Sequence, residues 1–215
     1  MSRKLLLACG IVSSMLYVAT DIVGARLWDG YSYIDQTISE LAAIDAPSRP
    51  VAAALFMVYG LLLIPFAAGF LASAGRSRNL RIAAIAFAGI PIVGMISSFF
   101  PIHVRGGDWT INETMHSVLT AITVVLILTS MTFAARAAGR RFFLYSVVTI
   151  ATTLIFGAVS GWIGRALTDN LPTPWIGIME RISVFGYLAW VAVLAVVLMR
   201  RPGPRLRPAD GMLQA

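Results

Sequence analysis

Residues 51–100 read VAAALFMVYGLLLIPFAAGFLASAGRSRNLRIAAIAFAGIPIVGMISSFF, and this stretch decides the fold. Two apolar runs, Val51 to Ala74 and Leu80 to Phe100, flank Gly75-Arg76-Ser77-Arg78-Asn79. The hydrocarbon core of a bilayer needs about 20 apolar residues of helix to cross it. Each run meets that length, and the link between them is too short and too basic to be anything but a turn in water or lipid head groups. The 50 residues hold Arg76, Arg78 and Arg81 and no acid, so the pair reads as a helical hairpin that leaves the bilayer on a positively charged side.

Working outward, the same period recurs. Apolar segments run from about Leu5 to Leu27, Thr114 to Ala137, Phe142 to Ala166 and Trp175 to Met199, which makes six predicted spans. The chain of 215 residues is 58% hydrophobic and 13% charged, where a soluble domain carries about 25% charge. A water-facing surface cannot be made from so few polar side chains, so lipid has to cover the fold. The expectation is an all-α polytopic membrane bundle of six transmembrane helices. It forms one transmembrane domain over residues 1–215 and ends in a basic tail, 200–215.

The charges sort by side. Arg3, Lys4, Arg76, Arg78, Arg81, Arg136, Arg140, Arg141, Arg200, Arg201, Arg205 and Arg207 are 12 of the 17 basic residues and fall on one side of the six spans. The positive-inside rule makes that side cytoplasmic, with both chain ends there. The net charge of +7 is then a topology signal and a contact for anionic lipid, not a nucleic-acid surface, because no basic face with interleaved aromatics exists. Nine of the ten acids lie in the opposite loops or helix ends; only Asp210 does not. Acids contribute little to topology, so the clustering points to a polar site on the outer face. Cys9 is the single cysteine, which excludes an intrachain disulfide. Leu6-Leu7-Ala8-Cys9 imitates a lipoprotein cleavage box. Only Leu5 to Ala8 separate it from Arg3-Lys4, too short for a signal peptide's apolar region, so the first helix is expected to stay as an anchor.

Within the helices, Pro65 and Pro91 predict kinks. Gly157, Ser160, Gly161 and Gly164 give the fifth helix a small-residue face for close packing. Thr173-Pro174 reads as a cap-then-proline opening of the sixth helix. Thr110-Ile111-Asn112-Glu113 and Thr37-Ile38-Ser39-Glu40 have the capping-box pattern. The second would open a short, partly amphipathic segment, Tyr33 to Ala43, lying on the outer membrane surface or plugging the mouth of the bundle.

Candidate chemistry gathers on the outer side. His116 stands inside the outer end of the fourth helix, where a proton shuttle or a head-group-level packing histidine are the two readings. Glu180 and Arg181 stand in the first turns of the sixth helix. A charge at mid-membrane costs about 2.5–3.5 kcal/mol, so both should face the interior and find partners. Arg181 is expected to reach Asp21, Asp35 or Glu40, and Glu180 to reach His116 or an arginine. The pocket lining is expected to include Asp21, Asp35, Ser39, Glu40, His103, His116, Glu180 and Arg181. In it His116, Glu180, Asp35 and Glu40 would be the acid–base residues, and Arg181, Ser39, Asp21 and His103 would bind substrate. The spacing of His103, Asp108 and His116 matches no compact metal motif, and no nucleotide, flavin or haem motif is present, so neither metal nor cofactor is expected.

Over nearly its whole length the chain resembles the bacterial membrane-protein family called domain of unknown function 998. The resemblance is carried by Leu6-Leu7-Ala8-Cys9-Gly10, Ile38-Ser39-Glu40-Leu41-Ala42, Ala46-Pro47-Ser48-Arg49, Phe100-Pro101, Met115-His116-Ser117 and Gly177-Ile178-Met179-Glu180-Arg181. It implies a six-helix protein of the bacterial inner membrane and supplies no activity. Members often carry an acid two places after the Phe-Pro pair; this chain has His103 there.

Three classes of function stay open on these residues. One is a membrane-embedded enzyme acting on a lipid or isoprenoid-like substrate. Another is a small permease or proton-coupled carrier working as a homo-oligomer. The third is a non-catalytic accessory protein in contact with membrane lipids.

Overall fold

The structure is a computed structural model that describes residues 2–167 and 169–201. Six long helices account for the six predicted spans: α1 Arg3–Arg26, α2 Arg49–Ser73, α3 Arg78–Ser97, α4 Ile111–Ala135, α5 Arg140–Ile163 and α6 Ile176–Met199. All six are long and apolar enough to cross a membrane. Most of the basic tail, from residue 202, lies outside the described residues. The helix ends follow from local chemistry. Ser2 accepts from the Leu5 N–H and Ser77 from the Leu80 N–H, so each supplies the missing acceptor of a first turn. Thr110 and Glu113 form the reciprocal capping box expected of them. Gly75 (φ 50°) and Gly139 (φ 90°) take left-handed backbone in the two short basic links, a conformation open to glycine without a Cβ penalty.

The helices close into a ring in chain order, each packed on the next and α6 back on α1, with α2 and α6 also touching across the middle. An even number of crossings brings both chain ends to one end of the ring. Arg3 ties them together there, donating to the carbonyls of Leu198 (3.0 Å) and Arg201 (2.6 Å). We call this the proximal end and the other the distal end. Around the outside, Met15, Val58, Ile85, Ile92, Val125 and Val148 are exposed, which suits a surface facing lipid tails.

The proximal half is solid. Phe66, Phe70, Phe87, Trp190, Leu194 and Leu198 are fully or almost fully buried, and the Phe66 and Phe87 rings meet edge to face at 4.9 Å. Such offset contacts are favoured by the ring quadrupoles. Gly10 and Gly69 let α1 and α2 approach closely. A Cβ on Gly10 would lie 2.6 Å from the Phe66 ring, and one on Gly69 would lie 2.8 Å from Leu6.

The distal half is capped by loops. The Tyr33 to Ala43 segment plugs the bundle mouth; it does not lie flat on the surface. Ile38, Leu41 and Ala43 are buried at 1%, 0% and 0% exposure, and a 3-10 turn covers Ser39–Ala42. The loop after α3 crosses to it, with the Ile44 N–H donating to the Ile102 carbonyl at 2.8 Å.

Two local expectations are corrected. Thr173 does not cap α6: the helix opens after Trp175, which takes left-handed backbone (φ 68°), because the Thr173 hydroxyl is used between Arg105 and the Asp35 carbonyl. The small-residue face of α5 is only partly a packing face. A Cβ on Gly157 would meet Ser183 Oγ at 3.2 Å, but one on Gly161 meets nothing within 4 Å. Small side chains there leave room instead of contact.

Candidate functional site

The distal charges fall into two sets, one spent on holding loops and one left facing a cavity. In the first set, Arg181 from α6 donates Nε to Asp21 Oδ2 (3.0 Å) and Nη2 to Asp21 Oδ1 (2.8 Å) on α1. Its Nη1 donates to the carbonyls of Tyr33 (2.9 Å), Gln36 (3.0 Å) and Gly177 (3.1 Å), and Nη2 also donates to the Tyr31 hydroxyl (2.7 Å). The guanidinium sits 4.8 Å from the centre of the Tyr33 ring. All five N–H groups of the fork are therefore in use. Burial pushes the Tyr31 phenol above its ordinary range, so it stays a neutral partner.

Arg105 does the same work from the loop after α3. It donates to both oxygens of Glu40 (2.7 and 3.2 Å), to Thr173 Oγ1 (2.6 Å) and to the Asp35 carbonyl. Glu40 in turn accepts from the N–H and hydroxyl of Thr37, the contact its capping-box pattern anticipates. The Asp35 carboxylate accepts from the Trp175 N–H at 3.1 Å and from the Ser32 hydroxyl. His103 pairs with Glu113, through its ring Nδ1 at 2.7 Å and its backbone N–H at 2.8 Å.

The second set surrounds empty space. A chamber of about 370 Å³ lies in the distal half, between α2, α3, α4 and α6, within the size range of small-molecule sites. Most of its wall is apolar, and Leu63 in that wall stands one helical turn from the buried Phe66. Glu180 stands in this wall. Its Oε2 accepts from the Ile38 N–H at 2.5 Å and its Oε1 from the Ser39 hydroxyl at 3.3 Å, and among the described residues it has no ion pair.

Four buried side-chain polar atoms lack a hydrogen-bond partner among the described residues: His116 Nδ1, Thr153 Oγ1, Tyr187 OH and Ser130 Oγ. The first three belong to chamber-lining residues. A buried donor or acceptor left unpaired costs about 1–3 kcal/mol, and three around one cavity mark it as a place for a polar occupant.

A second cavity, of about 440 Å³, opens among the distal loops and α4 and α5. Its lining includes the His103–Glu113 and Arg105–Glu40 pairs and Arg165, so it is a vestibule with charged pairs in a wall that, like the chamber's, is mostly apolar. Ser160, Gly161 and Gly164 form part of it, which is where the room left by the small α5 residues goes. Ser39, Ile102 and His116 line both cavities. They form the wall between the chamber and the charge-lined vestibule.

Of the residues singled out in the sequence, the structure brings His116, Glu180 and Ser39 to one chamber. Asp21, Asp35, Glu40, His103 and Arg181 instead sit in the network that holds the distal loops. Arg181 reaches Asp21, one of its expected partners, while Glu180 finds a loop N–H and Ser39, neither a histidine nor an arginine. Arg105, Tyr187 and Thr153 were not anticipated. A signal for Arg105 existed: with Arg26, Arg49, Arg165 and Arg181 it is one of five cations on the acid-rich side. Among the described residues no three His, Cys, Asp or Glu side chains come together as a metal's donor set. What the chamber can do chemically is move protons next to an apolar ligand, between a carboxyl, a serine hydroxyl and an imidazole.

A family model described as a protein of unknown function, DUF998, matches residues 11–197. No curated protein and no solved structure matches the chain.

Proposed function

We propose, from the premise that the chain belongs to the DUF998 family of proteins of unknown function, that it is a membrane-embedded enzyme acting on a lipid- or isoprenoid-like amphiphile held in the distal chamber. One observation carries this reading: His116 and Ser39 stand in the wall shared by the chamber and the vestibule that holds the distal ion pairs, with Glu180 hydrogen-bonded to Ser39 on the chamber side. An enzyme that joins a greasy substrate to a polar reactant needs that junction. The amphiphile occupies the chamber and water or a polar acceptor reaches it through the vestibule. Glu180, held by Ser39, takes a proton from a water or acceptor hydroxyl as that oxygen bonds to the ester centre of the amphiphile; the ester bond breaks, and His116 gives a proton to the departing oxygen. General acid–base transfer of this kind contributes about 10²–10⁴-fold to rate. Asp21, Asp35, Glu40, His103 and Arg181 are positioning residues that fix the loop carrying Ser39.

In this reading the protein lies in the bacterial inner membrane, with the basic proximal end and both termini in the cytoplasm. The chamber then serves the outer leaflet. A carrier is less well supported, since a cargo path would have to cross the packed Phe66, Phe70 and Phe87 layer. A purely structural role leaves the three partnerless polar atoms of the chamber without a purpose.

The test is lipid profiling. Wild type, Glu180→Gln and His116→Asn, purified in native-lipid discs, are incubated with a bacterial membrane lipid extract and followed by mass spectrometry. The wild type should deplete one amphiphile class and accumulate its product, and both variants should leave that class intact while melting like the wild type. Identical lipid profiles in all three, with no amphiphile retained by any, would remove the proposal.

A further inference from the structure

The chamber wall holds one arginine that the loop network does not use. Arg49 opens α2 and lines the chamber, yet among the described residues its guanidinium makes no hydrogen bond and no ion pair. By contrast Arg105 and Arg181 have every arm occupied. Arg49 is only partly exposed and lies at the positive end of the α2 dipole, which supplies no counter-charge. A partly exposed arginine that pairs with no carboxylate or carbonyl is a ready partner for an oxyanion.

A gap leads to it. Gly60 on α2 and Gly94 on α3 both line the chamber, and a Cβ on either would meet nothing within 4 Å. The two helices are joined by the tight Ala74–Ser77 turn at the proximal end, and farther along each a glycine leaves room where a side chain would stand. Met57 and Met95 border the same space, and flexible thioether side chains adapt to an apolar chain sliding past.

We propose that the ligand is an amphiphile with an anionic oxyanion head, phosphate or carboxylate, that enters from the lipid between α2 and α3 past Gly60 and Gly94 and seats its head on Arg49. This rests on the chamber being a ligand site and specifies its substrate class. The head lies at the rim, the tail runs along the apolar wall, and the bond nearest the head faces Ser39.

The experiment measures capture of three pyrene-labelled dodecyl probes, a phosphate monoester, a carboxylate and an alcohol, by the full chain in phosphatidylcholine discs, read by energy transfer from tryptophan. In the wild type both anions should bind at least about tenfold tighter than the alcohol. Arg49→Gln should erase that preference and leave alcohol binding unchanged. Millimolar inorganic phosphate should fail to displace the phosphate probe, which separates a lipid head group from a free-phosphate site. Gly60→Leu with Gly94→Leu should slow capture severalfold without changing the preference at equilibrium. An anion preference that survives in Arg49→Gln, displacement by inorganic phosphate, or an unchanged capture rate in the glycine variant each overturns this inference while the chamber remains a ligand site. If none of the three probes binds the wild type, the chamber reading itself fails.

Discussion

Removing the Asp21 carboxylate tests the distal network most directly. Asp21→Ala leaves the Arg181 guanidinium buried, with carbonyls and a neutral phenol but no counter-charge. Breaking one side of a buried pair costs about 3–5 kcal/mol. For a chain of this size 1 kcal/mol moves the melting point by about 2–4 °C, so the expected loss is roughly 6–20 °C. The informative variant is the double one, Asp21→Leu with Arg181→Met. If Arg181 were only an ion-pair partner, the apolar replacement would restore wild-type stability. The structure says otherwise. Arg181 is also the partner of the Tyr33 carbonyl and the closer of two donors to the Gln36 carbonyl, which would keep only the Tyr31 hydroxyl at 3.3 Å; each loss costs about 1 kcal/mol. The double variant should therefore recover part of the loss and remain about 1–2 kcal/mol below wild type. Thermal unfolding in detergent, followed by fluorescence-detected size exclusion, measures both variants beside Arg140→Gln as a control. Full recovery by the double variant, or a single-variant loss no larger than that of Arg140→Gln, would refute the reasoning.

Two further outcomes are expected. Gly177→Ala should reduce the folded yield sharply, because its Cβ would press on the backbone carbonyls of Gln36 and Tyr33 and on Arg181 Nη1, and such overpacking costs about 1–3 kcal/mol; Gly60→Ala, which meets open space, should melt as the wild type does. In a Cys9→Ser background, a cysteine at Asp45 should react with an impermeant maleimide on intact cells and one at Arg140 should not; the reverse labelling pattern would invert the orientation and place the chamber at the inner leaflet.

The six helices were legible because span length and lipid exposure are written locally: a run such as Val51 to Ala74 has no alternative in a bilayer, and the helix found there is Arg49–Ser73. The Thr110–Glu113 cap was legible for the same reason, since both partners sit within one turn. The site was legible only in part. His116, Glu180 and Arg181 stood out because a charge within an apolar run is costly wherever the chain goes. Which of them would be spent on loops was not readable, because Arg105, sixty-five residues from Glu40 in sequence, meets it only through tertiary packing. The chamber was invisible for a related reason: empty space is a property of how α2, α3, α4 and α6 diverge, and no single residue encodes it. Thr173 misled because a hydroxyl before a proline fits a helix start, but here the distal loops competed for it and won.

Arg181 grips the distal loop mainly by main-chain carbonyls, at positions 33 and 36. Between them the Gly177 N–H donates to the Ile34 carbonyl, and a latch that recognises backbone is indifferent to the exposed side chain at position 34. The lid can thus vary its outward face there without coming unseated, while Asp21, Gly177 and Arg181 stay fixed. A saturation scan should show this as tolerance at Ile34 beside intolerance at those three.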